Sequence, residues 1–371
     1  MIMKKILFRL AMLCVITWAI HGPLNADGSV SITTAPDPVL VVGMEHFQQV
    51  SLDFLVTNSG KVALEFASVV MTAFDGNGAL LTRREINRMG MCPSIATLPF
   101  AAVEPGKTVI AFNPFQELPP GMELRTLRFA FTFLIKGSDK EIMSEVTVEP
   151  VAYSARTPLS LPVGGKVIVW DGWDLYAHHR RIDLVHPFMV ELGVKHNITR
   201  YGMDFMQVDA TGRTFKGKGQ LLEDYFIFGK PVLAPAAGIV ADCVGDRPDS
   251  PIGRMLVDYE GLQRTKDLRL LGGNYVVIDH GNGEFSFLCH LRQNSLKVRK
   301  GERVQAGLPV GEVGSSGDST EPHLHYQLRG SADPDCASLP AAFKGFKLWY
   351  GDRSLTVEKG CVNSGEIVEA L

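Results

Sequence analysis

EPHLHYQL, residues 321–328, sets two histidines one residue apart in a run that otherwise alternates like a β-strand. Successive side chains on a strand point to opposite faces. His323 and His325 therefore share one face, and Leu324, Tyr326 and Leu328 take the other. The paired histidine face either holds a metal ion or forms a polar strip on a sheet.

Upstream of this strand the same period recurs. In EFSFLCH (284–290) strict alternation puts Glu284, Ser286, Leu288 and His290 on one face and Phe285, Phe287 and Cys289 on the other. The preceding VVIDHGNGEF (276–285) turns at Asn282-Gly283, a strong hairpin signal, and His280 at that turn reads as structural. The spaced glycines and valines of KVRKGERVQAGLPVGEVGSSG (297–317) suggest tight hairpins. Helical periodicity is confined to about residues 180–193.

Further towards the N-terminus, YSARTPLSLPVGG (153–165) has the proline, glycine and serine content of a linker. Before it, residues 27–152 show short alternating runs parted by turn residues, as in TLRFAFTFLIKGSDK (126–140). There Leu127, Phe129, Phe131 and Phe133 fall on one face. Repeated short strands at this spacing predict an immunoglobulin-like β-sandwich. A chain of 371 residues is also longer than one core usually serves, so two mainly β domains are expected, over 27–152 and 166–371.

Residues 1–26 carry Lys4, Lys5 and Arg9, an apolar run from Ile6 to Ile20 and small Ala26, the layout of a secretory signal peptide. An exported protein, periplasmic or extracellular, is expected. The net charge is −3, and removing the three basic leader residues makes it more acidic, which gives no support for nucleic-acid binding through a basic field. The five remaining cysteines are too few for a disulfide scaffold. Cys336 and Cys361, in a C-terminal tail that reads as irregular, are the first pair to test.

A catalytic zinc takes three protein ligands and leaves one position open. His196 and Asp204 in HNITRYGMDF (196–205), with His325, can supply these three if the fold brings them together. His323, on the same strand face two residues from His325, then stands beside the ion in a place suited to acid/base work, and His290 can supply the other side.

The stretches HNITRYGMDF, GKPVLAPAAGIVADCVGD (229–246), GGNYVVIDHGNGEFSFLCHL (272–291), VRKGERVQAGLPVGEVGSSGDS (298–319) and EPHLHYQL together resemble the LytM/lysostaphin-type zinc metallopeptidases over about residues 196–328. The resemblance implies an antiparallel β-sheet groove that binds an extended peptide and a zinc-dependent endopeptidase acting on bacterial peptidoglycan. It also implies His196, Asp204 and His325 as ligands and His290 and His323 as the further active-site pair. The family's usual first histidine, four residues before the aspartate, is Arg200 here. His178, His179 and His186 accordingly stand as alternatives to His196. Some relatives of this fold lack ligands and serve as cell-wall binding proteins or amidase activators, which is the competing reading. A lipoyl-type carrier hairpin is disfavoured, because no lysine sits at a hairpin tip in an Asp-Lys-like setting. A cell-envelope protein partner would be met through the N-terminal domain.

Overall fold

The computed structural model describes residues 29–99 and 102–371. The expected signal peptide over residues 1–26 lies outside the described residues. The chain is mainly β, and among the described residues no helix is long and apolar enough to cross a membrane.

Two antiparallel sheets enclose the N-terminal core. Strands Val30–Ala35, Asp53–Asn58 and Thr108–Phe112 form one. The other runs in the order Glu141–Val148, Thr126–Ile135, Leu64–Phe74, Leu80–Asn87, with the short Ala102–Val103 on its margin. The alternation seen in the sequence is the packing pattern: Leu127, Phe129, Phe131 and Phe133 are all buried. Phe54 of the first sheet sets its edge against Phe129 and Phe131 of the second, with centroids 4.8 and 4.9 Å away. Edge-to-face contacts of this kind add to the burial of large apolar rings.

An eleven-stranded sheet organises the rest of the chain. Its middle contains, as successive antiparallel neighbours, Asn274–Asp279, Phe285–Leu291, Leu324–Arg329, Met203–Gln207 and Lys166–Asp171. Leu324, Tyr326 and Leu328 point into the main core with Leu288, Phe205 and Val169, as the alternation requires. The opposite face looks into a cleft. Beyond Lys166–Asp171 the sheet continues through Ile367–Ala370, Phe343–Tyr350 and Arg353–Gly360. The C-terminal tail is thus ordered strand rather than irregular: Phe346 and Leu348 alternate inward, and a hairpin around Gly351 returns the chain. Cys336 and Cys361 are free thiols, as are Cys92, Cys243 and Cys289.

The helix expected over 180–193 is a single short one, α1 (Pro187–Leu192), joined later by α2 (Tyr259–Thr265). His186 is the N-cap of α1, its Nδ1 accepting from the Phe188 N–H at 3.2 Å, and Gly193 closes the helix at φ 74°. Leu192 and Phe188 of α1 pack with Leu262 of α2 beside the cleft.

Residues 153–165 are packed rather than loose. Leu159, Leu161 and Val163 are buried in the C-terminal core. The Glu284 carboxylate accepts from the Arg156 and Thr157 N–H groups (2.9 and 2.7 Å), from Thr157 Oγ1 (2.6 Å) and from Tyr153 Oη (3.1 Å). A second tie joins the two parts of the chain. Buried Asp53 takes Arg200 Nη2 at 2.8 Å and a still shorter contact from Arg180, whose Nη2 also donates to the Leu52 carbonyl at 2.8 Å.

Candidate active site

Register across the central strands brings the chemistry together. Asp171 lies opposite Asp204, Asp204 opposite His325, and His325 opposite Cys289, so four neighbouring strands present one row of side chains to the cleft. Directly opposed residues on antiparallel strands share a face. The Nδ1 of His325 consequently meets Asp204 Oδ1 at 2.9 Å, and His323, two residues earlier on the same face, brings Nε2 to 3.6 Å from the same oxygen.

The third imidazole at Asp204 is His179, whose Nε2 is 3.6 Å from Oδ1. His196 is exposed on the rim of the cleft, and the contacts of Asp204 go to His179, His323 and His325. His179 arrives on an irregular loop after strand Lys166–Asp171. Asp171 accepts from the His178 and His179 N–H groups (3.2 and 3.3 Å), while Asn197 Nδ2 donates to the His179 and Arg180 carbonyls (2.8 and 3.2 Å). Trp173 anchors the loop: it is fully buried, donates Nε1 to the Val362 carbonyl at 2.9 Å and lies edge-on to Tyr201. Asp171 Oδ2 also stands 3.0 Å from the Nδ1 of both His178 and His179, which turns the Nε2 of His179 towards Asp204. Arg200, four residues before Asp204, points away to Asp53.

His290 reaches the cleft against its own parity. Alternation assigns it to the face of Leu288, which lies in the core. Its backbone, however, takes φ 61°, the left-handed region, next to a register shift between the Asn274–Asp279 and Phe285–Leu291 strands. That turn moves the ring to the cleft face, 4.7 Å from His323 and 5.7 Å from His325 between centroids. A non-glycine residue in this region is uncommon and is favoured where surrounding contacts hold it. Here the His290 N–H donates to Gly272 (2.9 Å), its carbonyl accepts from Gly314 (3.0 Å) and Nδ1 meets the Ser316 carbonyl (2.8 Å). The loop holding Ser316 comes this near because Gly273 and Gly317 face each other without side chains; a Cβ on Gly273 would fall 2.4 Å from Ser316.

Charge follows the same geometry. Burial would raise the Asp204 carboxyl, yet His179, His323 and the hydrogen bond from His325 hold it well below the usual carboxylate range. Burial, with His323 and His325 close by, pushes His290 well below the ordinary imidazole value. His178, more exposed, is raised through its hydrogen bond to Asp171, against the opposing effect of burial.

The donor set suits a tetrahedral zinc. Two ligand atoms each about 2.0–2.1 Å from such an ion stand roughly 3.3 Å apart. The separations of 2.9 and 3.6 Å from Asp204 to His325 and His179 bracket that value. Gly202 leaves the space these rings need: a Cβ there would meet His325 Cε1 at 2.8 Å and His179 Cγ at 3.3 Å. The cleft above has a volume of about 560 Å³, with Trp170, Phe188 and Tyr259 among its walls.

Residues 224–335 match the model of peptidase family M23. This segment is an M23 domain. It contains His290, His323 and His325, whereas His179 and Asp204 precede the matched residues. The peptidoglycan DD-endopeptidase ShyC of Vibrio cholerae is 27% identical over 150 residues, 36% of this chain and 34% of that protein. ShyA of the same organism, also a peptidoglycan DD-endopeptidase, is 46% identical over 56 residues, 15% of this chain and 13% of that protein. The chain thus spans about a third of the length of ShyC and less of ShyA. The catalytic domain of lysostaphin, an antimicrobial peptidase from Staphylococcus simulans, is a solved structure with 22% identity and a TM-score of 0.23, covering 38% of this chain and 73% of that one.

Proposed function

We propose that the protein is a zinc-dependent endopeptidase that hydrolyses peptide bonds in bacterial cell-wall peptidoglycan, exported to the compartment where that substrate lies. The observation that carries this reading is the gathering of three imidazoles around one buried carboxylate oxygen on the floor of an open cleft. The M23 domain and its endopeptidase relatives support the substrate class.

His179 through Nε2, Asp204 through Oδ1 and His325 through Nδ1 would hold the ion, with His179 in the place that sequence reasoning assigned to His196. When bound, zinc supplies Lewis acidity that polarises the scissile carbonyl and brings a water's pKa towards neutrality. The chain's own residues do the rest. His323 Nδ1 lies 2.8 Å from the Glu321 carbonyl, so it carries the proton and leaves Nε2 as a base facing the site. His290 is arranged alike, with Nδ1–H given to the Ser316 carbonyl. Buried and neutral, it gains a proton only as negative charge develops beside it, the property wanted in a group that stabilises a tetrahedral intermediate. Asp171 orients His179 as a supporting carboxylate commonly orients a ligating imidazole.

The test is to incubate the purified chain with peptidoglycan sacculi, with and without chelator, and to identify released fragments by mass spectrometry. Chelator-sensitive release of peptide-cleaved fragments is expected. A zinc-loaded protein that binds sacculi and releases nothing would instead be a non-catalytic binding protein or amidase activator.

A further inference from the structure

The cleft face of strand Leu324–Arg329 continues past the histidines to Gln327 and Arg329, and these two bear directly on His325. Arg329 is buried, stacks on Phe287 at 4.2 Å and donates Nη1 to the Pro334 carbonyl at 3.0 Å. Among the described residues no carboxylate pairs with it; its remaining donors, Nε and Nη2, converge on the Gln327 side chain. Those two donors assign the Gln327 carboxamide its oxygen on their side, where Nε is 2.6 Å away and Nη2 closer still, because the opposite orientation sets the NH2 group donor against donor. Its nitrogen then donates to the Ile198 carbonyl (3.2 Å) and to Nε2 of His325 (3.3 Å). With Nε2 accepting, the proton of a neutral His325 sits on Nδ1 and points at Asp204, 2.9 Å off.

That proton occupies the lone pair a metal needs. Ligation through Nδ1 demands the other tautomer, with Nε2–H donating to an acceptor. Gln327 can offer its oxygen to Nε2, at 3.3 Å, only by swinging its NH2 group onto a buried guanidinium, donor against donor. We propose that Gln327, held by Arg329, is a positioning residue that fixes His325 in the tautomer opposed to metal binding and so keeps zinc affinity below what the ligand set would otherwise give. The inference rests on His325 being a ligand through Nδ1, as in the proposed function. A carboxylate at position 327 accepts from both neighbours at once and removes the conflict.

Zinc dissociation constants measured by chelator competition on the full mature chain test this, using wild type, Gln327→Glu, Arg329→Met and His325→Ala. Gln327→Glu is expected to bind zinc about 10–100-fold more tightly, the usual reach of a supporting hydrogen bond on a metal ligand. Arg329→Met is expected to tighten binding to a lesser degree, because the amide is then free to turn. Disruption of structure loosens a metal site, so tightening by two unrelated substitutions is not explained by a merely structural role. Imidazole 15N spectra of the metal-free protein are expected to show Nδ1–H on His325 in wild type and Nε2–H in Gln327→Glu. Wild-type or weaker affinity in both variants, while wild type binds zinc through His325, overturns this inference and leaves the functional reading standing. Wild-type affinity in His325→Ala overturns the ligand assignment itself, and this inference with it.

Discussion

His179, the first ligand in the proposed function, and His196 are hard to tell apart at the scale of single residues. Both lie upstream of Asp204 in segments without regular structure, and spacing along a loop says nothing about where the loop returns. The choice of His179 depends on Trp173, Asn197 and Asp171, each of which holds the loop from a different direction. His290 was found in the sequence, but its face was not, because φ at one residue overrode the strand period. Gly202 carried no signal at all, although both rings press on its missing side chain. Metal analysis of purified variants checks the assignment: zinc is lost from His179→Ala, Asp204→Ala and His325→Ala and kept in His196→Ala and His323→Ala. The kept zinc in His323→Ala should accompany a fall in rate of about a hundredfold or more, as for a general base. Zinc retained by His179→Ala and lost from His196→Ala would reverse the choice. For Gly202→Ala, overpacking is expected to cost about 1–3 kcal/mol in denaturant unfolding and to weaken zinc binding, whereas an unchanged protein would mean the rings have room to move.

Among elements, the strands were the legible part. Strict alternation put EPHLHYQL and TLRFAFTFLIKGSDK on the correct apolar faces, since burial on one side of a sheet imposes a period of two, while in EFSFLCH it failed at His290. Short helices left a weaker trace: α2 is only seven residues long and takes its stability from Leu262 packed against α1. Residues 153–165 read as a linker by composition, but Glu284 at the tip of a hairpin collects four hydrogen bonds from them. Burial would raise this carboxyl, yet those donors hold it below its ordinary value of 4.5. A carboxylate lowered in the folded state contributes stability that is fully present above about pH 4.5 and is lost as pH falls through the folded value. Chemical denaturation of the metal-free protein should therefore show a smaller loss of stability below that pH for Glu284→Gln than for wild type. Parallel pH profiles would show that the anchor does not act through its charge.

For the molecule as a whole, the junction between the N-terminal sheets and the eleven-stranded sheet is electrostatic as well as apolar. Asp53 is the only carboxylate that pairs with Arg180 and Arg200 among the described residues, and all three are buried. Arg180 follows His179 directly, so the N-terminal sheets brace the loop that carries it. Removing one partner of a buried pair leaves the other charge uncompensated. Asp53→Ala is expected to lower stability by about 3–5 kcal/mol in denaturant titrations and to reduce zinc retention at the same time. Full zinc retention in a destabilised Asp53→Ala would separate the junction from the metal site. The sequence alone determined the β character and the shared face of the His323 and His325 pair, because strand period is a local property, and the family resemblance singled out Asp204, His290, His323 and His325 as the proposed site. Which histidine completes the carboxylate's circle, how His290 turns inward and what Arg180, Arg200 and Gln327 hold were decided only by tertiary structure. Those contacts join residues up to about 150 positions apart, and only register, loop closure and burial bring them together.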